Sequence, residues 1–406
     1  MEARFNKLLY MDYAATTPMH PDVIDTMTQV MRDHYGNPSS LHRLGVESEM
    51  LLRRSRETIA EALRCRPEEI RFTSGGTESN NAAIRGAVYK HRHRGQHIIT
   101  SAIEHSSVHE TFCQLEKEGF HVTYVPVSRT GHIDLDALSA ALSDDTILVS
   151  LMMVNNEMGS VQPVQAVGEL LRGRPKTLFH IDAVQAVGKL PVIPSELGAD
   201  LLTGAAHKLG GPKGVGLLYV RSGLELEPLL FGGGQEFGWR SGTENVPAIV
   251  GMAKAIRLAV GQQAAFAERT AALRTGLVEA ISQFPQLRLS GSGTVTGEAT
   301  GGEQIAPHIV HFVYPGMKSE VLVHAFEQQG ICVSARSACS SSVEKPSRVL
   351  LAMGYSAEEA LGGIRVSYSA DQDPLDTAEK FRMALTEVIA RLSPQAAPSG
   401  RRGRRR

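Results

Sequence analysis

Ile70-Arg71-Phe72-Thr73-Ser74-Gly75-Gly76-Thr77-Glu78-Ser79-Asn80-Asn81 joins a short apolar run to a glycine turn and then to a helical pattern. From 69 to 220 the chain repeats that alternation. Apolar runs at 70–73, 97–101, 121–127, 146–154, 177–182, 201–203 and 214–220 are separated by segments of helical spacing such as 80–92 and 107–118. Strand–helix alternation of this length predicts an α/β domain, a mainly parallel sheet sandwiched by helices. Ligands in such sheets gather beyond the carboxyl ends of the strands, so the residues just after each apolar run carry the functional signal. The glycine turn itself suits a phosphate, because glycines admit an anion to the backbone and the helix start offers unpaired N–H groups. A capped helix after a glycine turn reads the same way. No Walker loop is present: Gly188-Lys189-Leu190 lacks the hydroxyl residue.

Beyond the Gly/Ser-rich stretch 231–243, an Ala-rich helical pattern fills 246–284. A loop-like segment at 291–302 follows, then apolar runs at 309–314, 331–334 and 364–369, with helical patterns at 319–329 and 346–351. This predicts a smaller α+β domain. The expected division is 12–258 for the large domain and 1–11 with 259–393 for the small one. The arginine-rich end, 394–406, has no apolar periodicity and reads as a disordered basic tail.

The 406 residues are 42% apolar and 21% charged, which excludes a disordered or fibrous chain. Lys and Arg number 42 against 43 Asp and Glu, so direct nucleic-acid binding is not expected. No apolar run is long enough for a membrane span. The start, Met1-Glu2-Ala3-Arg4-Phe5, is too polar for a signal peptide and points to the cytoplasm. Four scattered cysteines form neither a disulfide framework nor a zinc spacing. His91, His93 and His97 lie in a polar helix end and turn and read as solvated surface. Cys65, Cys113 and Cys332 sit in apolar or helical patterns and read as buried or inert. Cys339, inside Ser337-Ala338-Cys339-Ser340-Ser341-Ser342, reads as an accessible and therefore reactive thiol.

Two further strand ends bear chemistry. Asp182 closes Phe179-His180-Ile181-Asp182; an aspartate there can hold a protonated ring nitrogen, ligate a metal or cap a helix. Lys208 follows the next strand among glycines, a good position for a Schiff-base nucleophile. A phosphate cradle, a carboxylate and a lysine in this order match the needs of pyridoxal 5′-phosphate: an anchor, a partner for the ring nitrogen and an amine for the aldehyde.

With these motifs the sequence resembles the cysteine desulfurases, within the class V aminotransferase-like, fold-type I pyridoxal phosphate enzymes. The resemblance runs from Tyr10-Met11-Asp12-Tyr13-Ala14-Ala15-Thr16-Thr17-Pro18 to Arg365-Val366-Ser367. Between them lie Gly36-Asn37-Pro38-Ser39-Ser40, Glu104-His105, Asn155-Asn156-Glu157-Met158-Gly159, His207-Lys208 and Arg240-Ser241-Gly242-Thr243.

It implies that Lys208 binds the cofactor aldehyde, Asp182 pairs with the ring nitrogen, Gln185 meets the ring hydroxyl oxygen and His105 stacks on the ring. Gly76, Thr77 and His207 would hold the phosphate, and Thr243 would reach the phosphate of a neighbouring subunit in a homodimer. Asn156, beside the cofactor, and Arg365 would bind the substrate carboxylate, although Arg365 read alone is equally a structural ion-pair partner. The implied activity removes sulfur from L-cysteine, giving L-alanine and a persulfide on Cys339. Lys208 and His105 would move protons, and an acceptor protein would take the sulfur for iron–sulfur cluster assembly or for tRNA or cofactor thiolation. No resident metal is implied, though Cys339 is a candidate transient iron–sulfur ligand. The long serine-rich loop and Lys345-Pro346-Ser347 resemble the group that hands its persulfide to scaffold or carrier proteins.

The chain departs from the family at Arg336, where a small residue is common, at Phe237, where arginine is usual, and at Ala205, where a serine often contacts the phosphate. Alternatives of the same fold are a selenocysteine lyase or an aminotransferase, and the latter has no need of Cys339. A non-catalytic RNA-binding scaffold using the arginine tail is the alternative from another class.

Overall fold

The computed structural model describes residues 8–291, 304–335 and 346–392. Seven of the strands form one sheet: β1 (Ile70–Thr73), β2 (His97–Ser101), β3 (His121–Val125), β4 (Thr146–Met152), β5 (Leu178–Asp182), β6 (Leu201–Ala205) and β7 (Gly216–Val220). Their order across the sheet is β1-β7-β6-β5-β4-β2-β3. Within it only β7 runs against its neighbours, pairing antiparallel with both β1 and β6. β4 through β7 are buried at every position and mainly apolar, as strands covered on both faces are.

Helices Gly76–His91 and Ser106–Lys117 cover one face, with Ala83, Val88, Phe112 and Leu115 packed on Ile98, Leu148 and Leu218. The other face is covered by Arg43–Leu63, Val164–Leu171 and Val246–Gly261, through Ile59, Leu63, Val167 and Ile256. The predicted continuous helix over 246–284 is two helices, Val246–Gly261 and Gln263–Ser282. Gln262, at φ −106° and ψ 8°, interrupts the spiral after a glycine. Pro21–Asp33, Arg43–Leu63 and Pro374–Leu392 are long helices outside the alternating pattern.

A second apolar cluster gathers Met11, Leu277, Phe312, Phe326, Val366 and Phe381. It packs around an antiparallel sheet of β8 (Arg288–Leu289), β9 (Ile309–Val313) and β10 (Gly363–Ser367). The N-terminal strand Leu9–Tyr10 runs parallel to Ile331–Cys332 and leads Asp12 to a bridge with Ser367, so the chain's beginning and its last strand meet. Among the described residues, no helix is long and apolar enough to cross a membrane.

Candidate active site

The carboxyl ends of β4, β5 and β6 open into one cavity, whose lining includes Met152, Asp182 and Ala205 from those ends. Gly76, Thr77, His105, Asn156, Gln185, His207, Lys208 and Arg365 line it too. Two residues named from sequence do not join them. Thr243 is exposed and lies outside the lining, and Cys339, like Arg336 and the arginine tail, lies outside the described residues.

The glycine turn is needed where it stands. Gly75 has φ 151°, in the region that favours glycine, and a Cβ on Gly76 would lie 2.9 Å from Val184 Cγ2. The turn delivers the first N–H groups of helix Gly76–His91 to the cavity wall beside Thr77. Glu78 faces away from the cavity, holding Ser74 N–H at 3.0 Å and Arg240 Nε at 2.9 Å.

Asp182 is buried. Its Oδ1 accepts Val184 N–H at 3.0 Å and its Oδ2 accepts Asn80 Nδ2 at 2.7 Å, while Asn80 Nδ2 also reaches Ser107 Oγ at 2.9 Å. Among the described residues no cation pairs with it. Of the three roles open to this aspartate, metal ligation lacks companions: no group of His, Cys, Asp and Glu among the described residues could hold an ion.

Lys208 Nζ donates to the carbonyls of Ala14 and Ala15, both at 2.7 Å. Ala14 O also accepts Gln185 Nε2 at 2.9 Å, and Lys189 Nζ lies 3.3 Å from Gln185 Oε1. His207 Nδ1 is 3.2 Å from Thr16 Oγ1. Burial, then the cations Lys208, Lys213 and Lys189, push its imidazole down to about 4, so it is neutral near pH 7.

His105 caps helix Ser106–Lys117. Its Nδ1 accepts Ser107 N–H at 3.1 Å, which leaves the proton of the neutral ring on Nε2. Burial holds its pKa below the ordinary value; Asp182 opposes this, and Lys208 and Arg348 add to it. Arg348 donates to the carbonyls of Ala102 and Glu104 and so fixes the turn that presents the imidazole.

Arg365 is buried in β10, where Nη2 donates to Asp12 Oδ1 at 2.7 Å and Nη1 to Asn156 O at 2.8 Å. Its Nε is buried without a partner. The ion-pair reading and the carboxylate-binding reading therefore coexist: one edge of the fork is paired with Asp12, and Nε is an unspent donor.

Sequence reasoning missed Asn80, Asp12 and Lys189. Asn80 and Asp12 were inside quoted motifs, and Lys189 follows Gln185 by one helical turn, a spacing that brings side chains together. Two surface assignments are corrected. His91 is buried with Nε2 3.1 Å from Glu225 O, and His97 is half-buried between Thr146 Oγ1 at 2.8 Å and Thr123 Oγ1 at 2.9 Å. Polar helix ends look solvated in sequence, but neighbouring strands and the 225 segment fold over these rings. Cys65, Cys113 and Cys332 are half-buried rather than fully enclosed, and burial pushes the Cys65 thiol up to about 12. Phe237, at φ 60°, is exposed with the Arg71 guanidinium 4.2 Å from its ring centroid.

Glu104 is enclosed beneath the site. Oε1 accepts Ser101 Oγ at 2.5 Å and Met152 N–H at 3.1 Å, and Oε2 has no partner. Burial first, with Asp182 adding to it, raises its carboxyl from 4.5 to about 8. The folded state thus keeps a proton that the unfolded chain releases above about pH 4.5. The stabilisation is complete below that pH and is lost as pH rises through about 8, by at most about 1.4 kcal/mol per pH unit. Urea midpoints of the wild type should therefore fall relative to those of Glu104→Gln between about pH 5 and about pH 8.5; parallel curves would refute the assignment.

The family model for aminotransferase class V matches residues 9–376. The chain belongs to the aminotransferase class-V family. Similar curated members include the cysteine desulfurase IscS of Dictyoglomus turgidum, 41% identical over 95% of this chain and 96% of that protein. The IscS of Escherichia coli O139:H28 is 44% identical over 88% of this chain and 87% of that protein. Among solved structures, a NifS-like protein superposes with a TM-score of 0.85 at 36% identity, covering 95% of this chain and 99% of the other. DndA from Streptomyces lividans gives 0.73 at 34% identity, covering 89% and 99%. A class-V member with the cysteine desulfurases as relatives is a pyridoxal phosphate enzyme, and the mixed sheet sandwiched by helices is the fold of that class.

Proposed function

We propose that this protein is a cysteine desulfurase: it removes sulfur from L-cysteine with pyridoxal 5′-phosphate, releases L-alanine and carries the sulfur as a persulfide on Cys339. The observation that carries the reading is the convergence of Lys208, Asp182, His105 and Arg365, from four separate segments of the chain, on one cavity.

The residues fit the cofactor. A helix start with Thr77 suits its phosphate, a buried carboxylate without a cation suits its ring nitrogen, and the Lys208 amine lines the same cavity. Ala205 offers no hydroxyl there, so one hydrogen bond of about 1 kcal/mol is forgone. When bound, the cofactor supplies an electron sink that acidifies the substrate α-carbon. Lys208 Nζ takes the proton at that carbon and returns it during the reaction. His105 Nε2 carries the proton at the substrate sulfur. Asn156 and Arg365 Nε bind the substrate carboxylate and orient the carbon–sulfur bond. The Cys339 thiolate attacks the sulfur, forming the S–S bond as the carbon–sulfur bond breaks, and the electron pair left on carbon is protonated to give alanine.

The same reading assigns the homodimer, with the exposed Thr243 reaching the partner's phosphate site, an acceptor protein for the persulfide, and a cytoplasmic location. It also divides the chain at 258/259 into a cofactor-holding unit and a unit bearing Cys339, a division supported by the separate cluster around Phe312 and Phe381. The test is incubation of cofactor-loaded protein with radiolabelled-sulfur cysteine, followed by peptide mapping. The expected result is alanine and reductant-labile label on Cys339. A keto acid in place of alanine, or turnover confined to selenocysteine, would replace this activity by one of its fold-mates.

A further inference from the structure

Lys189 is the buried cation that the mechanism leaves unused. It is 7% exposed, and among the described residues it forms no ion pair with a carboxylate. The charges that act on it are those of Lys208 and Arg365, and it acts in turn on His207 and His308, the last with neither ring nitrogen partnered. It also lines a second cavity with Tyr13, Arg269, Tyr368 and Asp371. Burial and then the Lys208 and Arg365 charges push its ammonium down to about 7. An apolar side chain of similar length would fill the same space without desolvating a charge. An anion arriving with a ligand would favour its charged form.

The contacts show what it does meanwhile. Gln185 lines the active cavity and is held at both ends of its amide: Nε2 donates to Ala14 O at 2.9 Å, and Oε1 accepts Lys189 Nζ at 3.3 Å. Turning the amide over would set its oxygen against a carbonyl and its NH2 against an ammonium, two repulsive contacts in place of two hydrogen bonds. The turn that joins the two residues is tight. Gly188 has φ 76°, a Cβ there would lie 2.6 Å from Ala259 Cβ, and Lys189 N–H closes on Ala186 O at 2.9 Å.

We propose that Lys189 is a positioning residue: it locks the Gln185 amide with its NH2 toward the cavity, so that the proton not spent on Ala14 O meets the ring oxygen of the cofactor, and its charge offsets that oxygen's anionic form. The proposal rests on the cavity's reading as a pyridoxal phosphate site.

The experiment measures pyridoxal 5′-phosphate affinity of the apoprotein and the pH midpoint of the bound cofactor's absorbance in wild type, Lys189→Met and Lys189→Gln, each also in a Gln185→Ala background. Lys189→Met should weaken cofactor binding about tenfold. It should also raise the spectral midpoint by about one pH unit, because a nearby positive charge disfavours a protonated imine. In the Gln185→Ala background the affinity loss should largely vanish, the mark of two residues acting as one unit. Lys189→Gln, polar but uncharged, decides the matter if the methionine variant does not fold. Wild-type affinity and midpoint in either folded variant overturn the proposal, as does an undiminished loss without Gln185. A wild-type protein that binds no cofactor would instead sink the reading of the site itself.

Discussion

Lys208→Ala is expected to give a folded protein that lacks the imine absorbance band of the cofactor-loaded wild type, and that forms alanine from cysteine at least about 10³-fold more slowly. The physical ground is the position of the amine. Its Nζ is held by the Ala14 and Ala15 carbonyls at the mouth of β6, within the cavity that Asp182 and His105 share. Among the described residues no other lysine lines that cavity, so none offers a second amine to the cofactor aldehyde. Folding should survive. Ala14 O keeps the Gln185 donor, and the lost bonds are worth about 1–3 kcal/mol, a loss visible in a melting curve and short of unfolding. Spectra, alanine assays and melting curves on one preparation separate these outcomes. A coloured, active Lys208→Ala protein would end the case for this lysine.

Cys339→Ser should leave the cofactor band and cofactor affinity at wild-type values while alanine formation falls by about 10³-fold or more and the transferable label disappears. The two variants thus fail at different stages: the lysine variant cannot tether the cofactor or move the α-carbon proton, and the serine variant does both but cannot accept sulfur. The difference is chemical. A thiol ionises near neutral pH and a serine hydroxyl does not, and a thiolate is the species that attacks sulfur. Alanine produced by Cys339→Ser at the wild-type rate would transfer the chain to a fold-mate that needs no such thiol.

The cavity was legible in sequence wherever one local rule sufficed. Strands end where apolar runs end, so Asp182, Lys208 and His105 could be assigned to strand ends or just beyond them from the sequence alone. Ser74-Gly75-Gly76-Thr77 had to be a turn opening a helix, because glycine admits backbone angles and approaches that other residues do not. These signals depend on residues a few positions apart, and linear reading captures such distances.

Other features depend on which distant segments meet. Arg365 pairs with Asp12 across 353 positions because β10 receives the chain's beginning at Ser367. Local patterning carries no trace of that encounter. Gln262 divides a helical pattern that apolar spacing reads as continuous. The surroundings of His91 and His97 come from segments whose own patterns say nothing of histidine. Lys189 enters the sequence reading only through Gly188-Lys189-Leu190, which is no Walker loop; the fold encloses it beside Gln185 and within reach of two other cations. By itself the sequence determined the alternating sheet, the strand-end chemistry and the family, since periodicity, glycine geometry and short motifs are local properties. Only the tertiary structure decided which charges are paired, which are buried alone and which amide they orient, since those outcomes depend on the solvent that remote segments exclude when they pack together.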